Sequence, residues 1–207
     1  ITSWRAHKNE AEIAGFRRAM QHDGVALVRF HRELDEKVED GSINQETEWS
    51  IAERLEEIRA EHPEYRGLSF ATIAGYAGNG AIVHYEATAE NHAQLADKSF
   101  LLLDSGAHYV SGTTDITRTI PLGVLSDEEK KAYTLVLKGM IQLSMAHFPA
   151  GTTGLALDFA ARQSMWREGY DFGHGTGHGV GSHLCVHEGP HQIRKDRRAA
   201  TEVSKWA

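Results

Sequence analysis

The chain has 207 residues, 41% apolar and 25% charged, which is the balance of a globular protein rather than a disordered or fibrous one. A net charge of −7 argues against non-specific nucleic-acid binding, and no apolar run approaches the roughly 18 residues of a membrane span. The N-terminus is polar and shows no signal peptide, and the single cysteine, Cys185, excludes an internal disulfide, so a cytoplasmic location is expected.

Residues 7 to 38 carry apolar positions at helical spacing, with Ile13, Phe16, Met20, Val25, Leu27 and Val28 expected toward a core and Gly24 expected to bend or break the helix. A second helix is predicted over 45–61, with Trp49, Ile51, Ala52, Leu55 and Ile58 on one side. The segments 68–75 and 81–85 are short, rich in β-formers and bounded by glycines, so they read as strands. Strands follow at 100–104, 107–109 and 115–120, with Ser111-Gly112 as the turn. Ser126-Asp127-Glu128-Glu129 is a capping box that opens a helix over 127–147, and another helix runs over 154–168. Helices, then strands, then helices, with no linker, predict one α+β domain over 1–207 with an antiparallel sheet.

Chemistry concentrates in two places. Asp104 ends an apolar strand and Asp115 follows a short turn; if their strands pair, both carboxylates face one way. Neighbouring carboxylates repel unless a proton or a metal lies between them. The second place holds His174, His178, His183, His187 and His191, most of them separated by glycines. Imidazoles are metal ligands and proton carriers near neutral pH. His187-Glu188-Gly189-Pro190-His191 has the H-E-x-x-H spacing of zinc proteases, but that motif needs a helix, and an interior proline costs about 3 kcal/mol there. The segment is therefore expected to be extended. Cys185, between two histidines, is expected to be a small buried side chain rather than a ligand.

Leu103-Asp104-Ser105-Gly106, Thr113-Thr114-Asp115-Ile116-Thr117-Arg118-Thr119, His174-Gly175-Thr176-Gly177-His178-Gly179-Val180-Gly181 and Val186-His187-Glu188-Gly189-Pro190 together resemble aminopeptidase P. This is the Xaa-Pro aminopeptidase group of the pita-bread metallopeptidases. The resemblance implies a pita-bread (creatinase/aminopeptidase) fold and two divalent metal ions. Manganese is expected, with cobalt or zinc fitting the same donors. It implies Asp104, Asp115 and His178 as metal ligands and His84, His187 and His174 as active-site histidines. His187 would contact the scissile carbonyl. Arg118 would orient carboxylates, or else form a surface ion pair. The implied substrate is a peptide with proline in second position, attacked by a metal-bound hydroxide; a homodimer is possible. His183 and His191 match no family position and are expected at the surface or behind the ligands. A prolidase acting on dipeptides and a non-catalytic pita-bread binding domain are the alternatives.

The sequence departs from this pattern after Ile193. Two further glutamate ligands that the resemblance implies, in Glu-Pro-Gly and Gly-Ile-Arg blocks, have no match, and residues 194–207 form an atypical, partly basic tail. With Ile1 in place of a starting methionine, these features are expected of a fragment incomplete at its C-terminus, binding metal weakly and with impaired activity unless Glu188 or Glu202 substitutes.

Overall fold

Each of the four long helices begins at a polar side chain that caps it. Asn9 opens α2 (Glu10–Glu39), Thr47 opens α3 (Glu48–Ala60), Ser126 opens α4 (Asp127–Ser144) and Thr153 opens α5 (Gly154–Trp166). In each the side-chain oxygen accepts from a backbone N–H of the first turn, which the helix itself leaves unpaired. At Asn9 and Ser126 a glutamate three residues on returns the bond, the reciprocal box expected from the sequence at Ser126. A short α1 (Thr2–Ala6) precedes them.

The computed structural model describes residues 1–196. Glu202 and most of the atypical tail lie outside the described residues. The strands are β1 (Tyr65–Leu68), β2 (Ile73–Tyr76), β3 (Phe100–Ser105), β4 (Ala107–Tyr109), β5 (Gly112–Thr113), β6 (Ile116–Pro121), β7 (Gly177–Gly179) and β8 (Glu188–Ile193). They form antiparallel sheets in the orders β1-β4-β5, β2-β3-β6 and β7-β8, as an α+β chain with antiparallel pairing requires. Among the described residues no helix is long and apolar enough to cross a membrane.

The chain divides into two compact units. The larger comprises Lys8–Leu125 and Val180–Val186; the smaller comprises Ile1–His7, Ser126–Gly179 and the chain from His187 onward. The core of the larger unit joins Ala26, Leu27, Phe30 and Leu34 of α2, Ile51, Leu55 and Ile58 of α3, and Leu101, Leu103, Ile116 and Ile120 of β3 and β6. In β3 burial alternates, so Leu101, Leu103 and Ser105 face inward while Phe100, Leu102 and Asp104 occupy the more open face.

Several expectations are corrected here. The α2 helix runs unbroken through Gly24, and its buried stripe is Gly15, Ala19, Asp23, Ala26, Leu27, Phe30 and Leu34. Met20, Val25 and Val28 fall off that stripe and are exposed. The hairpin turn lies at Val110-Ser111, one residue early, because Tyr109 pairs with Gly112. The 81–85 segment is not a strand: a 3₁₀ turn covers Ala77–Ala81, and His84 has a left-handed backbone, φ 59°.

Two glycines of α2 make opposite demands. A Cβ on Gly15 would lie 2.1 Å from the Ser111 carbonyl oxygen, whereas one on Gly24 meets nothing within 4 Å. Gly24→Ala therefore stabilises the protein by about 0.5–1 kcal/mol in urea unfolding, the ordinary helix gain. Gly15→Ala reverses the sign and destabilises by about 1–3 kcal/mol.

Candidate functional site

In the larger unit the two candidate carboxylates are held from behind by a buried ion pair. Asp23 of α2 and Arg59 of α3 are both fully buried. Arg59 Nε donates to Asp23 Oδ1 at 2.6 Å and Arg59 Nη2 to Oδ2 at 3.1 Å. The same Nη2 donates to Ser105 Oγ at 3.1 Å, and Thr114 Oγ1 donates to Asp23 Oδ2 at 2.5 Å. Ser105 follows Asp104 and Thr114 precedes Asp115, so one ion pair anchors a neighbour of each. Tyr109 OH also donates to Asp23, and burial followed by this carboxylate's charge pushes the phenol up, above its ordinary range.

The strand register places Asp104 opposite Thr117, whose hydroxyl donates to Asp104 Oδ1 at 2.6 Å. Asp115 lies one residue before β6 and two before Thr117, so strand alternation carries it to the Asp104 face. Both aspartates are half-buried. Arg118 is exposed and donates to the Thr117 carbonyl oxygen at 2.7 Å; a bond that orients Asp104 comes from Thr117, which sequence reasoning did not single out.

His84 sits in a segment organised by a second buried acid, Glu48. The Glu48 carboxylate accepts from Tyr76 N at 2.6 Å, Tyr85 OH at 2.7 Å, Ala93 N at 2.7 Å and Asn79 Nδ2 at 3.0 Å. These bonds draw 76–85 into a turn and override the β-propensity of Ile82 and Val83. His84 is exposed.

The smaller unit holds the other three candidates. Buried Arg162 on α5 donates to Asp158 Oδ2 and Asp171 Oδ1, both at 2.7 Å, to the Phe172 carbonyl at 2.6 Å and to the His174 carbonyl at 3.0 Å. Its guanidinium also lies 3.6 Å from the Phe172 ring centre. Thr176 Oγ1 donates to the other Asp158 oxygen at 2.5 Å. The histidine segment is thus pinned at 172, 174 and 176 before it enters β7. Lys195, Trp166 and Arg162 beside Asp171 hold its carboxyl well below the usual range.

His178 lies on β7 and is half-buried; its Nδ1 bonds the Gly179 carbonyl oxygen at 2.8 Å. A carbonyl only accepts, so Nδ1 carries a proton, and in the neutral ring Nε2 is the acceptor nitrogen. His187 precedes β8, and its ring meets that of His178 edge to face, 4.3 Å between centres. His174 is exposed, with Nδ1 donating to the Gly175 carbonyl at 2.7 Å and its ring 4.7 Å from that of Phe172. The 188–193 segment is a strand, so the H-E-x-x-H spacing places no helical pair. Cys185 is exposed, contrary to expectation: Leu184 and Cys185 adopt left-handed backbone, φ 57° and 55°, in a loop closed by Gly181 N donating to Cys185 O at 3.0 Å.

Two predictions follow from these anchors. Asp23→Ala strands a buried guanidinium and lowers stability by about 3–5 kcal/mol in urea unfolding, while the apolar pair Asp23→Leu/Arg59→Met loses much less. Burial and Glu48 push the Tyr85 phenol up to about 12 from 10.0. The folded state keeps that proton longer, so the stabilisation is complete below pH 10 and is lost as pH rises through about 12. The tyrosinate absorbance difference between the protein and Tyr85→Phe reads this titration, and Glu48→Gln moves it down.

Residues 14–204 match the model of metallopeptidase family M24. A probable Xaa-Pro aminopeptidase P of Ajellomyces capsulatus is 49% identical over 193 residues, which is 92% of this chain and 31% of that protein. The chain thus spans about a third of the length of such curated relatives. The crystal structure of X-prolyl aminopeptidase from Caenorhabditis elegans, described as a cytosolic enzyme with a di-nuclear active site, shares 39% identity and a TM-score of 0.91. That match covers 98% of this chain and 33% of the other. Recombinant prolidase from Thermococcus sibiricus gives a TM-score of 0.82 at 26% identity, covering 99% of this chain and 52% of that one. The fold is the pita-bread arrangement that the motifs implied. With the family model matching nearly its whole length, the chain belongs to metallopeptidase family M24.

Proposed function

We propose that this chain supplies Asp104, Asp115 and His178 as ligands to two divalent metal ions in an enzyme that releases the first residue of peptides with proline second. The observation that carries the reading is the anchoring of Ser105 and Thr114, the neighbours of the two aspartates, on one buried ion pair. Such rigid support is what a metal site needs to hold its carboxylates in place. The likeness to Xaa-Pro aminopeptidases supports the same reading.

The donor chemistry fits the ions. Two carboxylates and one imidazole suit manganese, cobalt or zinc, and manganese is the ion we favour. Thr117 fixes the Asp104 carboxylate and the Gly179 carbonyl fixes the His178 tautomer, the supporting bonds that metal ligands typically have. When bound, divalent ions polarise a carbonyl and lower the pKa of water. His187 would then contact the scissile carbonyl oxygen, His84 would line the substrate site, and His174 would be a further active-site histidine. A proline after the cleaved bond makes it a tertiary amide, so selectivity comes from a cleft shaped to the ring. The C. elegans enzyme, described as cytosolic, supports a cytosolic location.

Calorimetric Mn²⁺ titration tests the ligand set. Asp104→Asn, Asp115→Asn and His178→Ala each weaken binding at least about tenfold, and Thr117→Val weakens it by about 10–100-fold as a supporting residue does. Unchanged affinity in the three ligand variants would sink the proposal. Prolidase is the second reading; the T. sibiricus match is consistent with it but is weaker than the match to X-prolyl aminopeptidase. Cleavage of Xaa-Pro dipeptides, with longer peptides left intact, would select it.

A further inference from the structure

His183 has no part in the proposed centre, yet it does not stand alone. The loop 180–186 belongs to the larger unit, and there the His183 ring lies 5.6 Å, centre to centre, from that of His108 on β4, tilted by 59°. Two imidazoles that share one zinc at tetrahedral geometry, with Zn–N near 2.0–2.1 Å, place their ring centres roughly 5 Å apart. The observed spacing is close to this before any ion draws the rings together.

The surroundings favour ligation over a bare ring contact. His108 is half-buried, and its Nδ1 is 3.0 Å from the hydroxyl of buried Thr113, directly across the β4–β5 ladder. That hydroxyl accepts as readily as it donates, so Nδ1 can hold the proton and Nε2 the lone pair. A ligand histidine typically has just such a bond on its second nitrogen. Burial, then His183, holds His108 below the ordinary imidazole value, which favours the neutral ring that a metal binds. The loop is itself tied down. Gly181 N donates to Cys185 O, and Ser182 Oγ donates to Glu12 Oε1 at 3.2 Å, so His183 reaches β4 from a fixed base.

We propose that His108 and His183 form a separate bis-imidazole site for a borderline divalent transition-metal ion such as Zn²⁺ or Ni²⁺. Water or an added ligand completes the coordination. Occupancy would clamp the 180–186 loop to the β1-β4-β5 sheet. The site does not depend on the peptidase reading, because it shares no ligand with Asp104, Asp115 and His178.

Zn²⁺ titration of the full chain, followed by long-range ¹H–¹⁵N NMR of the histidine rings, tests this. Asp115→Asn and His178→Ala are introduced to remove competition from the proposed centre, and Cys185→Ser to remove the exposed thiol. One equivalent of Zn²⁺ is expected to shift the His108 and His183 ring nitrogens together. His183→Phe abolishes the His108 shift and weakens binding at least tenfold. Thr113→Val weakens binding by about 10–100-fold, while Thr113→Ser retains it. An unmoved His108 signal at one equivalent, or equal Zn²⁺ affinity in His183→Phe, overturns the proposal. Because Asp115 and His178 are absent from the test protein, neither result bears on the Mn²⁺ experiment.

Discussion

Asp23 and Arg59 face each other in a place that water does not reach, and the candidate metal ligands of the larger unit depend on them. Burying such a pair is not a cheap way to gain stability, since desolvation of the two charges offsets much of their attraction. An apolar pair of similar volume would serve the core as well. What the ion pair adds is direction. A carboxylate accepts from several donors at once, and Asp23 takes bonds from Arg59, Thr114 and Tyr109. Arg59 passes the constraint on to Ser105. The flanks of Asp104 and Asp115 are thus fixed by geometry that a leucine could not provide.

The same device recurs at the segments that carry His84 and His178. Glu48 gathers two side-chain and two backbone donors around the segment that carries His84. Arg162 and Asp158 hold the residues that lead to His178. In each case a charged group on a helix, buried among apolar neighbours, reaches into a loop or strand end with little regular structure of its own. The core of aliphatic side chains supplies the driving force for folding, which is non-directional. The buried charges supply position, which hydrophobic packing alone leaves loose. This division explains why glycine-rich and turn-rich stretches can carry chemistry that needs fixed geometry.

How much of this was legible in the sequence follows from the range of the interactions. The Ser126 box, the α4 start and the strand at 107–109 were readable because caps and alternation act within a few residues. The motif blocks around Asp104, Asp115 and His178 were readable as a set. Asp23, Glu48, Arg59 and Arg162 were not singled out from the sequence, because what marks them is their burial and their distant partners. Asp23 and Arg59 are 36 residues apart, and Asp23 and Thr114 are 91 apart. The 81–85 segment was misread for the same reason. Ile82 and Val83 favour a strand locally, and the bonds that bend the segment come from Glu48, more than 30 residues earlier. Cys185 was misplaced because a left-handed pair of non-glycine residues has no local signature.

The glycines of the histidine segment have a more specific use than flexibility. His174 and His178 are each followed by glycine, and each ring folds back so that Nδ1 donates to the carbonyl of that same glycine. One dipeptide pattern thus fixes the tautomer twice, with no second side chain required. The consequence is chemical: when such a ring is neutral, the proton lies on Nδ1 and the lone pair on Nε2, the nitrogen left to bind a metal or accept a proton. His183 is followed by leucine, and His108 relies on a threonine hydroxyl across the ladder instead. A hydroxyl can reverse its role where a carbonyl cannot, so the two kinds of histidine differ in how firmly their protons are assigned. In the neutral His-Gly rings the tautomer is set by a carbonyl that cannot switch roles, whereas in His108 it is set by a hydroxyl that can.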